Sequence, residues 1–314
     1  MESISIVSAL SDLSRLVIFP AGFSLLLVGL IYEWVDRKAL ARFQNRVGPR
    51  WFQPLADVIK LLAKEEIVPE GVNRLLFIAL PVLALAGGMS AALYVPTLGM
   101  PPAHSFPGDL IVSIYLLSLL SLCLGLAGSN SLDRFSLVGA TRTLTQLFSY
   151  EAPFLLSLLG PAFVAGSWEI REILAHSSSQ WLLVTQPVGF LVAVIALMGK
   201  LELPPFDAPE AETEIVAGAL TEYSGRALAI FRLAKSVALV VGLTFIAAFF
   251  MGGVSHPLEF LWKTLTLLLV IIALQGLLTR LRIDQIVGLW WRYGALLVLA
   301  QWLLLLILKI GVLP

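Results

Sequence analysis

Eight stretches of mostly apolar residues follow one another along this 314-residue chain, near 16–35, 74–95, 109–128, 148–166, 181–199, 227–251, 258–279 and 293–311. About 20 such residues, wound as a helix, match the hydrocarbon core of a bilayer. Backbone polar groups in lipid must bond within the structure itself, so a helix bundle is the expected frame. Composition removes the soluble alternative: 58% of residues are hydrophobic and only 13% charged, about half the charge of an ordinary globular chain. The expected fold is all-α, a polytopic membrane helix bundle with about eight transmembrane helices and an amphipathic helix on its cytoplasmic surface. It forms a single integral membrane domain over 1–314, with cytoplasmic loops near 36–73, 129–147, 200–226 and 280–292.

Orientation follows from lysine and arginine in the loops. After the first stretch come Arg37, Lys38, Arg42, Arg46, Arg50, Lys60, Lys64 and Arg74; later loops on the same side add Arg134, Arg142, Lys200, Arg226, Arg280, Arg282 and Arg292. The other side has Arg15, Arg171, Lys263 and Lys309. Fifteen against four places the odd-numbered loops in the cytoplasm and both termini outside, in a multi-pass protein of the cytoplasmic membrane. Glu2 and Asp12 precede Arg15 where a leader would be basic, so no cleaved signal peptide is expected.

Equal numbers of basic and acidic residues, 21 each, leave no overall field to attract nucleic acid. Cys123 is the sole cysteine, too few thiolates for an iron–sulfur cluster. His104, His176 and His256 stand far apart in expected loops, which argues against a metal or haem site on this chain. No matched pair of Gly/Pro-broken spans marks an inverted repeat of the transporter kind.

Two loops carry more than topology demands. In the first, Ala41-Arg42-Phe43-Gln44-Asn45-Arg46-Val47-Gly48-Pro49-Arg50 is a polar turn too elaborate for a connector. Beyond it Leu55, Val58, Ile59 and Leu62 fall at i, i+3, i+4 and i+7, with Asp57, Lys60 and Lys64 opposite. That pattern predicts an amphipathic helix at the membrane surface, with Pro54 as its first helical residue. The third loop has no cation between Lys200 and Arg226 yet holds Glu202, Asp207, Glu210, Glu212, Glu214 and Glu222, interleaved with apolar residues. A solvated acidic loop is one reading. The other is a row of partly desolvated carboxylates, some of them protonated near neutrality, that pass protons.

Three spans are impure. Glu151 lies near the start of the fourth, which fits either a helix N-terminus or a proton path. Arg232 and Lys235 share a face of the sixth, as counter-ions to the carboxylates or as side chains reaching back to the cytoplasmic edge. Lys263 sits near one end of the seventh.

Together these segments resemble the connecting membrane subunit of the complex I superfamily, which comprises the H subunit of bacterial NADH–quinone oxidoreductase and its equivalent in membrane-bound group 4 nickel–iron hydrogenases. The matching text is Asp36-Arg37-Lys38, the turn from Ala41 to Pro49, Gln53-Pro54-Leu55-Ala56-Asp57, Ser149-Tyr150-Glu151, Pro205-Phe206-Asp207 with Glu210-Ala211-Glu212, and Glu222-Tyr223-Ser224-Gly225. Only Arg50, Trp51 and Phe52 separate the Val-Gly-Pro turn from Gln53-Pro54. So short a link resembles the ferredoxin-linked hydrogenases and their sulfur-reducing relatives, and leaves a quinone site open.

The resemblance implies a membrane-arm subunit that docks a redox peripheral arm and couples electron transfer to proton or sodium translocation. Iron–sulfur clusters, and a nickel–iron centre in the hydrogenase branch, would belong to peripheral, hydrogenase-like partner subunits. Antiporter-like subunits would adjoin in the membrane, alongside lipid. The implied coupling residues are Glu151, Glu202, Asp207, Glu210, Glu212, Glu214 and Glu222. The implied docking residues are Asp36, Arg37, Arg42, Gln44, Arg46 and Arg50. Two rival readings are the quinone-linked form of the same subunit and a secondary ion transporter acting alone; a passive anchor would leave the acidic row unexplained.

Overall fold

The computed structural model of the protein describes residues 14–312. The expectations for a leader and for the termini, at Glu2, Asp12 and Pro314, lie outside the described residues, as does the Lys309 side chain. The elements in chain order are α1 (Phe23–Phe43), α2 (Gln53–Ala63), α3 (Arg74–Ala92), α4 (Asp109–Asn130), α5 (Arg134–Ala165), α6 (Ile170–Ser179), α7 (Pro187–Lys200), α8 (Gly225–Phe250), α9 (Pro257–Leu277), α10 (Ile283–Leu289) and α11 (Ala295–Val312). Among the described residues there is no strand.

Among the described residues, six helical runs are long and apolar enough to cross a membrane: Arg74–Gly99, Asp109–Asn130, Arg134–Ala165, Gly225–Phe250, Pro257–Leu277 and Ile283–Ile307. The other two expected spans take different forms. In 16–35 the helix begins only at Phe23, after Pro20 and Gly22 interrupt the run, and it continues past Glu33 to Phe43. In 181–199 the backbone breaks at Gln186, and Pro187 opens a helix of 14 residues. That is about 21 Å of helix, short of a core of about 30 Å. Beyond Lys200 the backbone is irregular and packs against α5. At membrane depth such backbone is tolerated where it is buried in protein or lines a hydrated cavity.

Two expected loops are largely helix. Asp133 caps α5 through Ser136 N at 2.9 Å, which closes an orphan donor of the first turn. No proline follows before Pro153, and the single Gly139 is tolerated, so α5 runs through 134–147 as part of its 32 residues. At about 48 Å it overhangs the bilayer core and carries Arg142 and Thr143 toward the acidic loop. The stretch 280–292 likewise becomes α10, which passes through a π-helical turn at Trp290–Gly294 into α11. Burial of Ile286 and Trp290 holds that start against the bundle.

Helix α8 is the axis. Beyond Lys235 it is apolar on every side, the mark of a helix buried all round, and 89% of its most apolar 18-residue window is buried. It packs on α1, α2, α3 and α9. The amphipathic helix forms as expected, with proline in its first turn. Val58 and Leu61 are buried, whereas Leu55, Ile59 and Leu62 remain exposed, so its apolar face is divided between the protein and an outer surface.

Candidate functional site

An open cavity of about 810 Å³ lies where α1, the start of α8 and the acidic loop meet. Ten of its lining residues carry charge: Glu33, Asp36 and Arg37 from α1; Glu202, Asp207, Glu210 and Glu212 from the loop; Arg232 and Lys235 from α8; and Arg280.

The acidic row has cations after all, supplied from remote segments. Lys235 Nζ bonds Glu202 Oε2 at 2.7 Å and also pairs with Glu210. Glu202 is 6% exposed and accepts a further bond from Thr143 Oγ1 at 3.0 Å. Arg280 reaches Asp207 at 3.0 Å, and Arg142 reaches Glu214 at 2.8 Å. Bonding to Arg142 and the added charge of Arg280 hold the exposed Glu214 carboxyl below the ordinary glutamate range. The loop is therefore not a set of unpaired carboxylates repelling one another. Glu212 and Glu222 form no ion pair among the described residues.

Of the two expected counter-ions, Lys235 is one in fact. Arg232 lines the cavity, exposed, and forms no ion pair among the described residues. Glu33, inside the first apolar stretch and missed by sequence reasoning, accepts from Ser236 Oγ at 3.0 Å and pairs with Arg37. Its signal was available: a carboxylate within a span faces the bundle interior or water. Asp36 accepts from Gln275 Nε2 at 3.3 Å, and Arg37 also reaches Asp57 at 3.1 Å, tying α1 to α9 and α2.

Glu151 is not at a helix start. It lies midway along α5 and pairs with Lys200 Nζ at 3.1 Å. Lys200 reads in the sequence as one more positive loop charge, yet its side chain is completely buried. Gln146 Nε2 donates to the carbonyls of Gly199 and Phe206, each at 2.8 Å, and so fixes both ends of the segment that joins Lys200 to the cavity. Gly139 allows the rest of the loop to close on α5, since a Cβ there would lie 2.3 Å from Ala219 N.

Arg42, Gln44, Arg46 and Arg50 do not enter the cavity. Arg42 stands exposed in the last turn of α1 and the other three on the stretch after it, beside exposed Phe43, Val47 and Trp51. The turn is built rather than loose: Lys38 Nζ donates to Val47 O at 2.7 Å, and Asn45 and Gly48 adopt positive φ. His176 lies in α6, not in a loop. Among the described residues, no group of three or more His, Cys, Asp or Glu side chains is placed to hold a metal ion.

Comparison with known proteins places nearly the whole chain in a family. The profile of the NADH dehydrogenase family matches residues 16–306. The H subunit of NADH-quinone oxidoreductase from Thermomicrobium roseum is 36% identical, over 90% of this chain and 93% of its own length. The corresponding protein of Carboxydothermus hydrogenoformans is 33% identical over 93% of this chain and 89% of its own. That of Anoxybacillus flavithermus is 35% identical over 88% and 89%. In fold, a chain from the structure of the membrane-bound sulfane sulfur reductase, an archaeal respiratory membrane complex, matches with a TM-score of 0.82 at 23% identity, covering 94% of this chain and 98% of that one. With its apolar helices, its charged loops and a family match along nearly its whole length, the chain is a multi-pass membrane protein of the NADH dehydrogenase family, to which the H subunits of NADH–quinone oxidoreductase belong.

Proposed function

We propose that this chain is a membrane-arm subunit of a complex I-like respiratory complex, which docks a redox-active peripheral arm and couples its electron transfer to proton or sodium translocation. The observation that carries the reading is the charged cavity, whose carboxylates and cations come from four separate parts of the chain. A change of charge or position at its mouth alters the loop, and Glu202 passes that change through Thr143 and Gln146 of α5 toward Glu151. Iron–sulfur clusters belong to the partners, and antiporter-like subunits adjoin in the membrane. Arg42, Arg46 and Arg50, which can bind carboxylates bidentately, with exposed Val47 and Trp51 beside them in the chain, form the docking face for the peripheral arm.

Among acceptors, a hydrogenase-like or sulfur-reducing arm is supported by the three-residue link and by a lining too rich in charge for an apolar quinone tail. A quinone-linked complex is supported by the names of the relatives. Purification of the tagged chain in mild detergent tests the reading. Co-purifying subunits with the visible absorption of iron–sulfur clusters are expected; a chain that leaves the membrane alone would mean a stand-alone transporter. Sensitivity of the purified complex to quinone-site inhibitors would then select the quinone-linked form.

A further inference from the structure

We propose that Lys200 is itself a proton carrier, exchanging a proton with Glu151, and not only that residue's counter-ion. The inference rests on the coupling function proposed above and gives part of it to a residue outside the acidic row. The geometry is that of a transfer pair. Lys200 Nζ lies 3.1 Å from Glu151 Oε2 and 2.6 Å from Ser118 Oγ, and Ser118 Oγ also bonds Glu151 Oε1. The rings of Phe154 and Tyr150, centred 5.1 and 5.4 Å from Nζ, form other walls of the site. The lysine side chain is 0% exposed and that of Glu151 18%, so Glu151 is the member with access to the surroundings.

The two residues stand at one level of the bundle, each about 20 Å along its helix from the far end of α5 or α7. Sealing an ammonium and a carboxylate away from water costs desolvation energy that offsets much of their attraction. The neutral amine and neutral acid are then a competing state, and buried lysines change protonation readily. In the exchange one N–H bond of Lys200 breaks and one O–H bond forms on Glu151 Oε2. The charge of the pair is zero before and after. Glu151 releases the proton on its exposed side in one position of the acidic loop, and in the other a proton taken up there restores the ammonium of Lys200, so the pair is unloaded and reloaded once per turnover. Because Lys200 is two residues from Glu202, which is held by Lys235 and Thr143, movement of the acidic loop alters the geometry of the pair.

The test uses the complete complex reconstituted in vesicles, with ions moved per electron pair measured for Lys200→Arg and Glu151→Gln. Arginine keeps the positive charge and can still pair with Glu151, but it does not release a proton at accessible pH. Loss of translocation in both assembled variants is the expected result. Wild-type translocation in Lys200→Arg with loss in Glu151→Gln would overturn the carrier role and leave the coupling function standing. Retention in both would overturn the relay through this pair altogether. Should the arginine variant fail to assemble, redox-induced infrared difference spectra of the wild-type complex decide the matter. A carboxylic acid C=O band absent from Glu151→Gln, together with an ammonium band that shifts on 15N-lysine labelling, is expected. Absence of either band would overturn the proposal.

Discussion

Lys235 answers two carboxylates at once, and one of them, Glu202, has almost no contact with water. Removing one partner of a buried pair leaves the other charge uncompensated, at a cost of about 3 kcal/mol or more. Lys235→Met should therefore lower the thermal unfolding midpoint of the detergent-solubilised protein clearly, whereas Arg282→Met, whose pair with Asp284 is exposed on both sides, should leave it nearly unchanged. Glu214 makes a subtler test. Its pairing with Arg142 depresses its folded-state pKa, so the stabilisation is fully present above the ordinary glutamate range and is lost as pH falls through the depressed value. The unfolding midpoints of wild type and Glu214→Gln should differ by a constant amount from neutrality down to about pH 5 and converge in stronger acid. A difference that grows on acidification would contradict the pairing. The carboxylates themselves were legible in the sequence, and Lys235 was open as a counter-ion; which carboxylate each cation meets was not. Lys235, Arg280 and Arg142 lie 25 to 73 positions from the groups they meet, and no local pattern encodes such a distance. Lys200 was hidden for another reason: a charge at the end of an apolar run reads as topology whether it faces water or a buried glutamate.

The local rules that set the helices worked where one interaction dominates and failed where two compete. Pro54 and the 3.6-residue spacing announced α2, and the structure starts it at Gln53. Hydropathy set the fourth span at 148–166, but the Asp133 cap and an unbroken run of helix-compatible residues carry α5 back to Arg134. For the fifth, apolar residues from 181 suggested a full crossing, yet Pro187 and the turn at Gln186 leave α7 short. The acidic loop follows α7 directly, and its seat depends on Gly139, where a side chain would drive into the backbone of Gly218 and Ala219. Gly139→Val should displace the loop at a cost of about 1–3 kcal/mol and expose Glu202. Hydrogen–deuterium exchange over 201–224 reads this out as faster exchange in the variant; unchanged protection would mean that the loop is held from elsewhere.

At the scale of the molecule, a central helix, the spans packed around it and a charged chamber at one end form the device. The count of fifteen basic residues against four proposes that this end is cytoplasmic. Cysteine placed at exposed Arg282 should then react with a membrane-impermeant maleimide only in inverted vesicles, and cysteine at exposed Ser255 only in intact cells; the native Cys123 is buried and stays silent. The reverse pattern would turn the molecule over in the membrane. The central claim is that the chamber transmits redox turnover to the bilayer interior through Glu202 and Glu151. Its most direct test is the number of ions translocated per electron pair by the reconstituted complex carrying Glu202→Gln, Glu151→Gln or both, with assembly verified and Asp284→Asn as the surface control. The account predicts that the ratio collapses in each of the three and is unchanged in the control. A wild-type ratio in the assembled double variant would contradict it.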